Sequence, residues 1–306
     1  MAAVTLPYYM PSHELPQPLP TIQEIHSSTE QYMQIGSRRL VRVGPYMIKY
    51  GTGVSPIEGE NMLFVKRETM VPVPLVYAIY STKHLSRADG TEVDCNYIVM
   101  EYIEGKTLQD IWGSLCSQQK DSISAQLRIH MDQLRTLPSP GSPGYYGSIG
   151  RRGLLDGIFW TGNDVTDGLD GPFDTELELN EAMCRKAIFN NSSMAEKAEF
   201  YGRAFPAVLK GHAPIFTHGD FQRKNILIRN RAPTEVVDWK LEDDTFDVAI
   251  IDWEFAGWYP TYWEYALAIF ACGAWRDDWH RWVDKILDPF YNEYAWMQMF
   301  RTELWS

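Results

Sequence analysis

THGDFQRKNILI, residues 217–228, is the stretch on which the fold and the chemistry of this chain turn. A histidine, a glycine and an aspartate come together, an asparagine follows five residues after the aspartate, and an apolar, β-prone run continues from it. As a bare turn, an aspartate after a glycine needs no catalytic explanation, because its side chain bonds readily to nearby backbone. Chemistry becomes the better explanation only when partners of the right type occur elsewhere in the chain.

Downstream, an apolar run ends in IIDWE, residues 250–254, which places Asp252 just after a strand. VVDW, residues 236–239, also ends in Asp-Trp but runs into the acidic stretch KLEDDT; Asp252 runs into EFAGWYP, an irregular turn feeding a helix, and is preferred. Upstream, LVRVGPYMIKYG holds two β-rich runs around Gly44-Pro45 and reads as a hairpin. In its second run Met47 and Lys49 share one face, while Tyr46, Ile48 and Tyr50 share the other. A helix is expected from Ile57, with Glu58, Met62 and Val65 on one face. Glu60 and Glu68 compete with Glu58 as partners for Lys49.

Phosphoryl transfer from a nucleotide needs these residue types. A lysine holds the phosphates and a helix carboxylate fixes that lysine. One aspartate accepts the substrate hydroxyl's proton, and an asparagine and a later aspartate ligate Mg2+. Asp220 and Asn225 keep the D-x-x-x-x-N interval of a kinase catalytic loop. Mg2+ takes oxygen ligands and keeps several waters, so two protein ligands suffice beside phosphate oxygens.

The rest of the chain is compatible with that chemistry. Its 306 residues are enough for two lobes, and 45% apolar with 22% charged residues describe an ordinary globular protein. A formal charge of −12 argues against nucleic-acid binding, which needs a basic surface. Four dispersed cysteines without a CxxC pair suggest reduced thiols and a cytoplasmic location. No signal peptide and no membrane span are expected. Thr21 and Glu24 predict a capped helix, and VPVPLVYAIY and CNYIVMEYI predict strands. Helices are expected over residues 108–116, over the segment holding Ile123, Leu127, Met131 and Leu134, over TELELNEAMCRKAIFN and MAEKAEFYGRAFPAVL, and over most of 258–305. Residues 138–174 read as a long loop, with Asp156, Asp164, Asp167 and Asp170 as solvated turn formers or an acidic rim for an amine. Trp258, Tyr259, Trp263 and Trp275 are assigned to the core.

HGDxxxxN, followed by an apolar strand and IDWE, resembles the aminoglycoside phosphotransferase and choline kinase superfamily. MIKYG, EGENMLFV, VPVPLVY, VMEYIEG and GPF are similar to its fungal phosphotransferase-like branch, and the resemblance spans residues 35–268. It implies an α+β, two-lobed, protein-kinase-like fold: a small lobe, residues 1–103, with an antiparallel sheet plus a helix, and a larger, mostly helical lobe, residues 104–306. ATP would lie in the cleft, with Lys49 on its phosphates, Glu58 pairing with Lys49, and Glu101, Tyr102 and Ile103 as the hinge bonding adenine through backbone groups. Asp220 would be the catalytic base, with His218 beside it bracing the loop, and Asn225 and Asp252 would ligate Mg2+. The expected activity is ATP- and Mg-dependent phosphorylation of a hydroxylated small molecule, amine-bearing ones included. The alternative is a silent kinase-fold binding protein, which the joint presence of Lys49, Asp220, Asn225 and Asp252 weighs against.

Four features depart from protein kinases. No GxGxxG precedes Lys49; only Gly36, Ser37 and Gly44 stand there. Gly219 stands where those enzymes carry arginine, and DWE replaces D-F-G, both of which favour a small-molecule kinase. Gln222 replaces a lysine, so Arg223 or Lys224 becomes the candidate source of transition-state charge.

Overall fold

The computed structural model describes residues 4–85, 90–141, 144–160, 168–230 and 246–305. In the small lobe, β1 (Tyr8–Tyr9) precedes α1 (Ile22–Ser27), β2 (Gln31–Ile35), β3 (Arg38–Val43), β4 (Tyr46–Gly51), α2 (Ile57–Glu68), β5 (Val76–Leu85) and β6 (Glu92–Glu101). The strands form one antiparallel sheet in the order β1-β5-β6-β4-β3-β2.

The two-residue period of β4 divides its side chains as expected. Tyr46, Ile48 and Tyr50 join an outer cluster with Tyr77, Ala78, Tyr97 and Ile25 of α1, and Met10, Leu15 and Leu19 of the N-terminal arm pack against it. Rings run across this face from Tyr9 to Tyr80, Tyr97, Tyr50 and His26, with centroids 4.9–5.9 Å apart. Lys49 is left on the inner face, toward α2. That helix approaches closely because Gly59 lies against the sheet, where an added Cβ would sit 2.7 Å from Ile79 Cδ1. The capping box of α1 forms as read, with Thr21 Oγ1 accepting from the Glu24 N–H and Glu24 accepting from the Thr21 N–H.

The larger lobe contains β7 (Lys106–Thr107), α3 (Leu108–Ile111), α4 (Ser117–Arg135), α5 (Glu176–Asn190), α6 (Ala195–Val208), β8 (Pro214–Thr217), β9 (Ile226–Asn230), β10 (Phe246–Ile250), β11 (Gly257–Pro260), α7 (Trp263–Phe270), α8 (Trp279–Ile286) and α9 (Tyr291–Leu304). Strands β10, β9 and β7 form one small sheet, and β11 pairs with β8. Ile123, Leu127, Met131 and Leu134 of α4 all enter the main core. The architecture is the α+β, two-lobed, kinase-like fold expected from the sequence. No helix among the described residues is long and apolar enough to cross a membrane.

Several local expectations are corrected. The helix read over 108–116 is one short turn, α3, followed by a 3-10 turn at Trp112–Ser114, and Cys116 then caps α4. The segment after Asp252 is not merely an irregular turn: residues 257–260 form β11, paired antiparallel with β8 so that Gly257 faces Thr217. Trp275 is exposed, whereas Trp258, Tyr259 and Trp263 are fully buried. Asp156 is buried too, bonded to the Ile158 N–H, Trp263 Nε1 and Arg301, so it is a packing anchor and no rim residue. Asp170 is half-buried, while Asp164, Asp167 and the VVDW segment lie outside the described residues.

Candidate active site

Register brings the first pair together. Lys49 lies mid-strand, opposite Leu40 of β3 and Ile98 of β6. Its ammonium stands 2.6 Å from Glu58 Oε2, 2.8 Å from Asp252 Oδ1 and 3.8 Å from Glu254 Oε2. The competition among glutamates is resolved by partners: Glu60 is held by both terminal nitrogens of Arg152 at 2.9–3.0 Å, and Glu68 by Arg67.

One ammonium among three carboxylates, with the Arg38 guanidinium on Glu254, sets the electrostatics. Burial opposes the charge of Lys49, but Glu58, Asp252 and Glu254 outweigh it and raise its pKa. Burial also opposes ionisation of Asp252, yet the Lys49 charge leaves its carboxyl below the ordinary range. Glu58, the most buried of the three, is pushed up to about 7 by burial despite Lys49. Asp252 adopts a left-handed backbone, φ 66°, which a non-glycine residue keeps only when its surroundings hold it.

The HGD turn is built against the same loop. Gly219 has φ 82°, and an added Cβ would fall 2.7 Å from the Phe255 carbonyl, so both conformation and space require glycine. Glu264, in the first turn of α7, accepts the backbone N–H groups of His218 at 2.6 Å and Gly219 at 3.2 Å. Burial pushes the Glu264 carboxyl up to about 7, opposed by these two bonds. The His218 ring uses both nitrogens on backbone: Nδ1 accepts the Asp220 N–H at 3.2 Å, and Nε2 donates to the Ile251 carbonyl at 3.0 Å. That pattern fixes the neutral tautomer with its proton on Nε2, in keeping with burial lowering its pKa. Trp253 packs edge-on against the ring at 4.6 Å.

Asp220 is oriented from several sides. Asn225 Nδ2 donates to its Oδ2 at 2.8 Å and to its carbonyl at 2.9 Å, Gln222 Nε2 donates to Oδ1, and Lys224 lies 3.2 Å from Oδ2. Arg223 turns away to Asp277, over the rings of Trp112 and Trp279, which leaves Lys224 as the loop cation near Asp220. Asn225 and Asp252 converge because β9 and β10 pair, and the ladder continues with the Ile251 N–H donating to the Asn225 carbonyl at 2.9 Å. With its Nδ2 spent on Asp220, the Asn225 amide presents its oxygen for other use.

At the start of β4, where Glu101 lies opposite Tyr46, the N–H groups of Glu101 and Tyr102 are donated to the carbonyls of Leu75 and Pro45. Among these three positions only the Ile103 N–H lacks a backbone acceptor among the described residues. Carboxylate oxygens of Glu58, Asp252 and Glu254 lie within 4.8 Å of one another, an all-oxygen set that suits Mg2+. Arg38, Asn61 and Glu264 were not foreseen. Asn61 Nδ2 donates to the Trp253 carbonyl at 2.8 Å. Glu264 left a trace in the sequence, a lone acid inside the apolar run WEYALAI.

Known proteins give an independent comparison. Residues 55–300 match the phosphotransferase enzyme family. Among solved structures, choline kinase LicA from Streptococcus pneumoniae is 13% identical, with 92% of this chain and 86% of that chain covered and a TM-score of 0.45. A spectinomycin phosphotransferase, solved in complex with ADP and spectinomycin, is also 13% identical, with 91% and 78% covered and a TM-score of 0.45. A microcompartment-associated aminopropanol kinase is 13% identical, with 92% and 87% covered and a TM-score of 0.43. No curated protein matches the chain. The match over residues 55–300 takes in most of the chain and the whole HGD-to-DWE region, and the protein belongs to the phosphotransferase enzyme family.

Proposed function

We propose that this protein is an ATP- and Mg2+-dependent O-phosphotransferase that phosphorylates a hydroxyl of a small molecule, amine-bearing acceptors included. The observation that carries the reading is the Lys49 ammonium, 2.6 Å from Glu58 and 2.8 Å from Asp252, residues from a helix and a distant loop. Bound Mg-ATP supplies the transferable phosphoryl group and the metal charge that neutralises it. Lys49, kept charged by its carboxylates, holds the phosphates, and Glu58 holds Lys49. Asn225 and Asp252 are the metal ligands. The Ile103 N–H is the adenine donor within the hinge of Glu101, Tyr102 and Ile103, and the lobes divide after residue 103.

Asp220 takes the acceptor hydroxyl's proton. Its carboxylate is aimed by Asn225 and Gln222, and the nearby Lys224 offsets charge that gathers there. His218 is a positioning residue, since both ring nitrogens are committed to backbone. Catalysis consists of alignment and charge stabilisation.

Asp220→Asn tests the assignment. ADP release, screened over hydroxylated amines, sugars and aminoglycosides, should fall by about 10²–10⁴-fold, while ATP still raises the melting temperature as in wild type. Retained turnover refutes the base assignment. A wild-type protein that binds Mg-ATP yet releases no ADP, with or without acceptors, supports a silent binding protein instead.

A further inference from the structure

Arg38 begins β3, directly after the Gly36-Ser37 turn. Its Nη1 donates to both oxygens of Glu254 at 3.0 Å, and its Nε donates to the Gly53 carbonyl at 2.7 Å. No hydrogen bond engages its Nη2 among the described residues, and the side chain is 41% exposed against 11% for Glu254. The turn is pressed against the segment that follows Lys49. An added Cβ would lie 1.7 Å from the Ser37 carbonyl oxygen at Gly51, and 2.6 Å from Ser37 Oγ at Gly53. Glycines placed after the lysine thus bring the turn and Arg38 over the Lys49 cluster, where a glycine-rich loop before the lysine is missing.

Two cations, Arg38 and Lys49, face three carboxylates, Glu58, Asp252 and Glu254. Lys49 is buried, whereas Arg38 has a donor edge open to solvent. A guanidinium fork matches phosphate oxygens as well as it matches a carboxylate. We propose that Arg38 is a polyphosphate ligand held in store by Glu254: without nucleotide the pair latches the Gly36-Ser37 turn to the Asp252 loop, and nucleotide binding exchanges the carboxylate for phosphate oxygens. This rests on the nucleotide-dependent reading above and adds Arg38 to it. The exchange also frees Glu254, already within 4.8 Å of Asp252 and Glu58, to face a divalent cation.

The test is calorimetric binding of ATP and adenosine, with and without EDTA, to wild type, Arg38→Gln and Glu254→Gln. Arg38→Gln should weaken ATP by about ten-fold or more, the size of one lost charge-assisted contact, and leave adenosine within about two-fold. Glu254→Gln releases Arg38, so in EDTA it should bind ATP more tightly than wild type. A salt bridge remote from the phosphates predicts neither effect. Equal ATP affinity in wild type and Arg38→Gln overturns the proposal, and so does metal-free affinity in Glu254→Gln no better than wild type. The second variant decides the matter should Arg38→Gln fail to fold. A wild-type protein that binds neither ATP nor adenosine overturns the nucleotide reading itself, an outcome distinct from loss of the Arg38 effect alone.

Discussion

Replacing Lys49 by methionine removes the one cation that contacts Glu58 and Asp252 together, at 2.6 and 2.8 Å. Glu254 keeps Arg38, so two carboxylates lose their nearest positive charge, and one of them, Glu58, is almost wholly buried. Deleting one member of a buried ion pair costs about 3–5 kcal/mol, a large share of the roughly 5–15 kcal/mol that holds a domain together. The cost depends on pH in a definite direction. Glu58 has a folded pKa of about 7 by burial, above its unfolded value near 4.5, so its protonation favours the fold and stability falls as pH rises through the folded value. In wild type that fall is complete above about pH 7. Without Lys49 the Glu58 pKa moves higher, and the fall continues above pH 7 at up to about 1.4 kcal/mol per unit. The Lys49→Met variant should therefore lose further stability, on the order of 1 kcal/mol or more, between pH 7 and 9, while the contribution of this group in wild type stays flat. Urea denaturation in EDTA at each pH measures the gap, and added Mg2+ should recover part of it by replacing the lost cation. A gap that is constant across pH 7–9 refutes the picture of three carboxylates sharing one ammonium.

Gly59→Val should place methyl groups against Ile79, destabilise the fold by about 1–3 kcal/mol through overpacking, and weaken ATP binding by displacing Glu58; urea midpoints and calorimetry check both. Glu264→Gln offers one acceptor to two N–H groups, at a cost of about 1–3 kcal/mol in the HGD turn. Its kcat deficit at pH 8 should narrow below about pH 7, where burial already leaves the Glu264 of wild type protonated. His212 contacts Glu176 at 2.6 Å and Glu293 at 3.4 Å; burial opposes its charge, but these carboxylates prevail and raise its pKa. The stability it gains is fully present below its unfolded value near 6.5 and is lost as pH rises through the folded one. The melting-temperature advantage of wild type over His212→Gln should therefore shrink with rising pH.

What the sequence disclosed follows from periodicity and interval. Alternation in β4 separated Lys49 from Tyr46, Ile48 and Tyr50 without any knowledge of neighbours, because a strand allows its side chains only two faces. The helical face carrying Glu58, Met62 and Val65 was legible for the same reason, and all three are buried. Pairings across long separations were not. Glu60 competes with Glu58 in the sequence, and its commitment to Arg152, 92 residues away, is not legible there. The β8–β11 ladder, which sets the HGD turn beside the DWE loop, joins two four-residue strands too short to announce themselves. Asp156 shares its sequence setting with solvated turn aspartates, and Trp263 and Arg301, 107 and 145 residues on, mark it as buried structure.

Helix α2 carries a further consequence. Three of its polar residues reach in different directions: Glu58 to Lys49 within the small lobe, and Glu60 to Arg152 and Asn61 to the Trp253 carbonyl in the larger one. All three are nearly inaccessible, so each bond is made where a lost partner is costly. Trp253 in turn packs on His218, whose ring ties Asp220 to Ile251. The helix, the Asp252 loop and the HGD turn are therefore joined through buried contacts. Moving α2 alone would break two ion pairs and strand a buried amide, a combined cost of several kcal/mol. Phosphorylation-gated kinases work by repositioning the corresponding helix; here the exposed half of the Arg38–Glu254 latch is the cheaper part to move. Nucleotide-dependent change should accordingly appear in hydrogen exchange at residues 36–38 and 252–255, with α2 protected throughout. Exchange that accelerates across α2 while the turn stays unchanged would reverse that ordering.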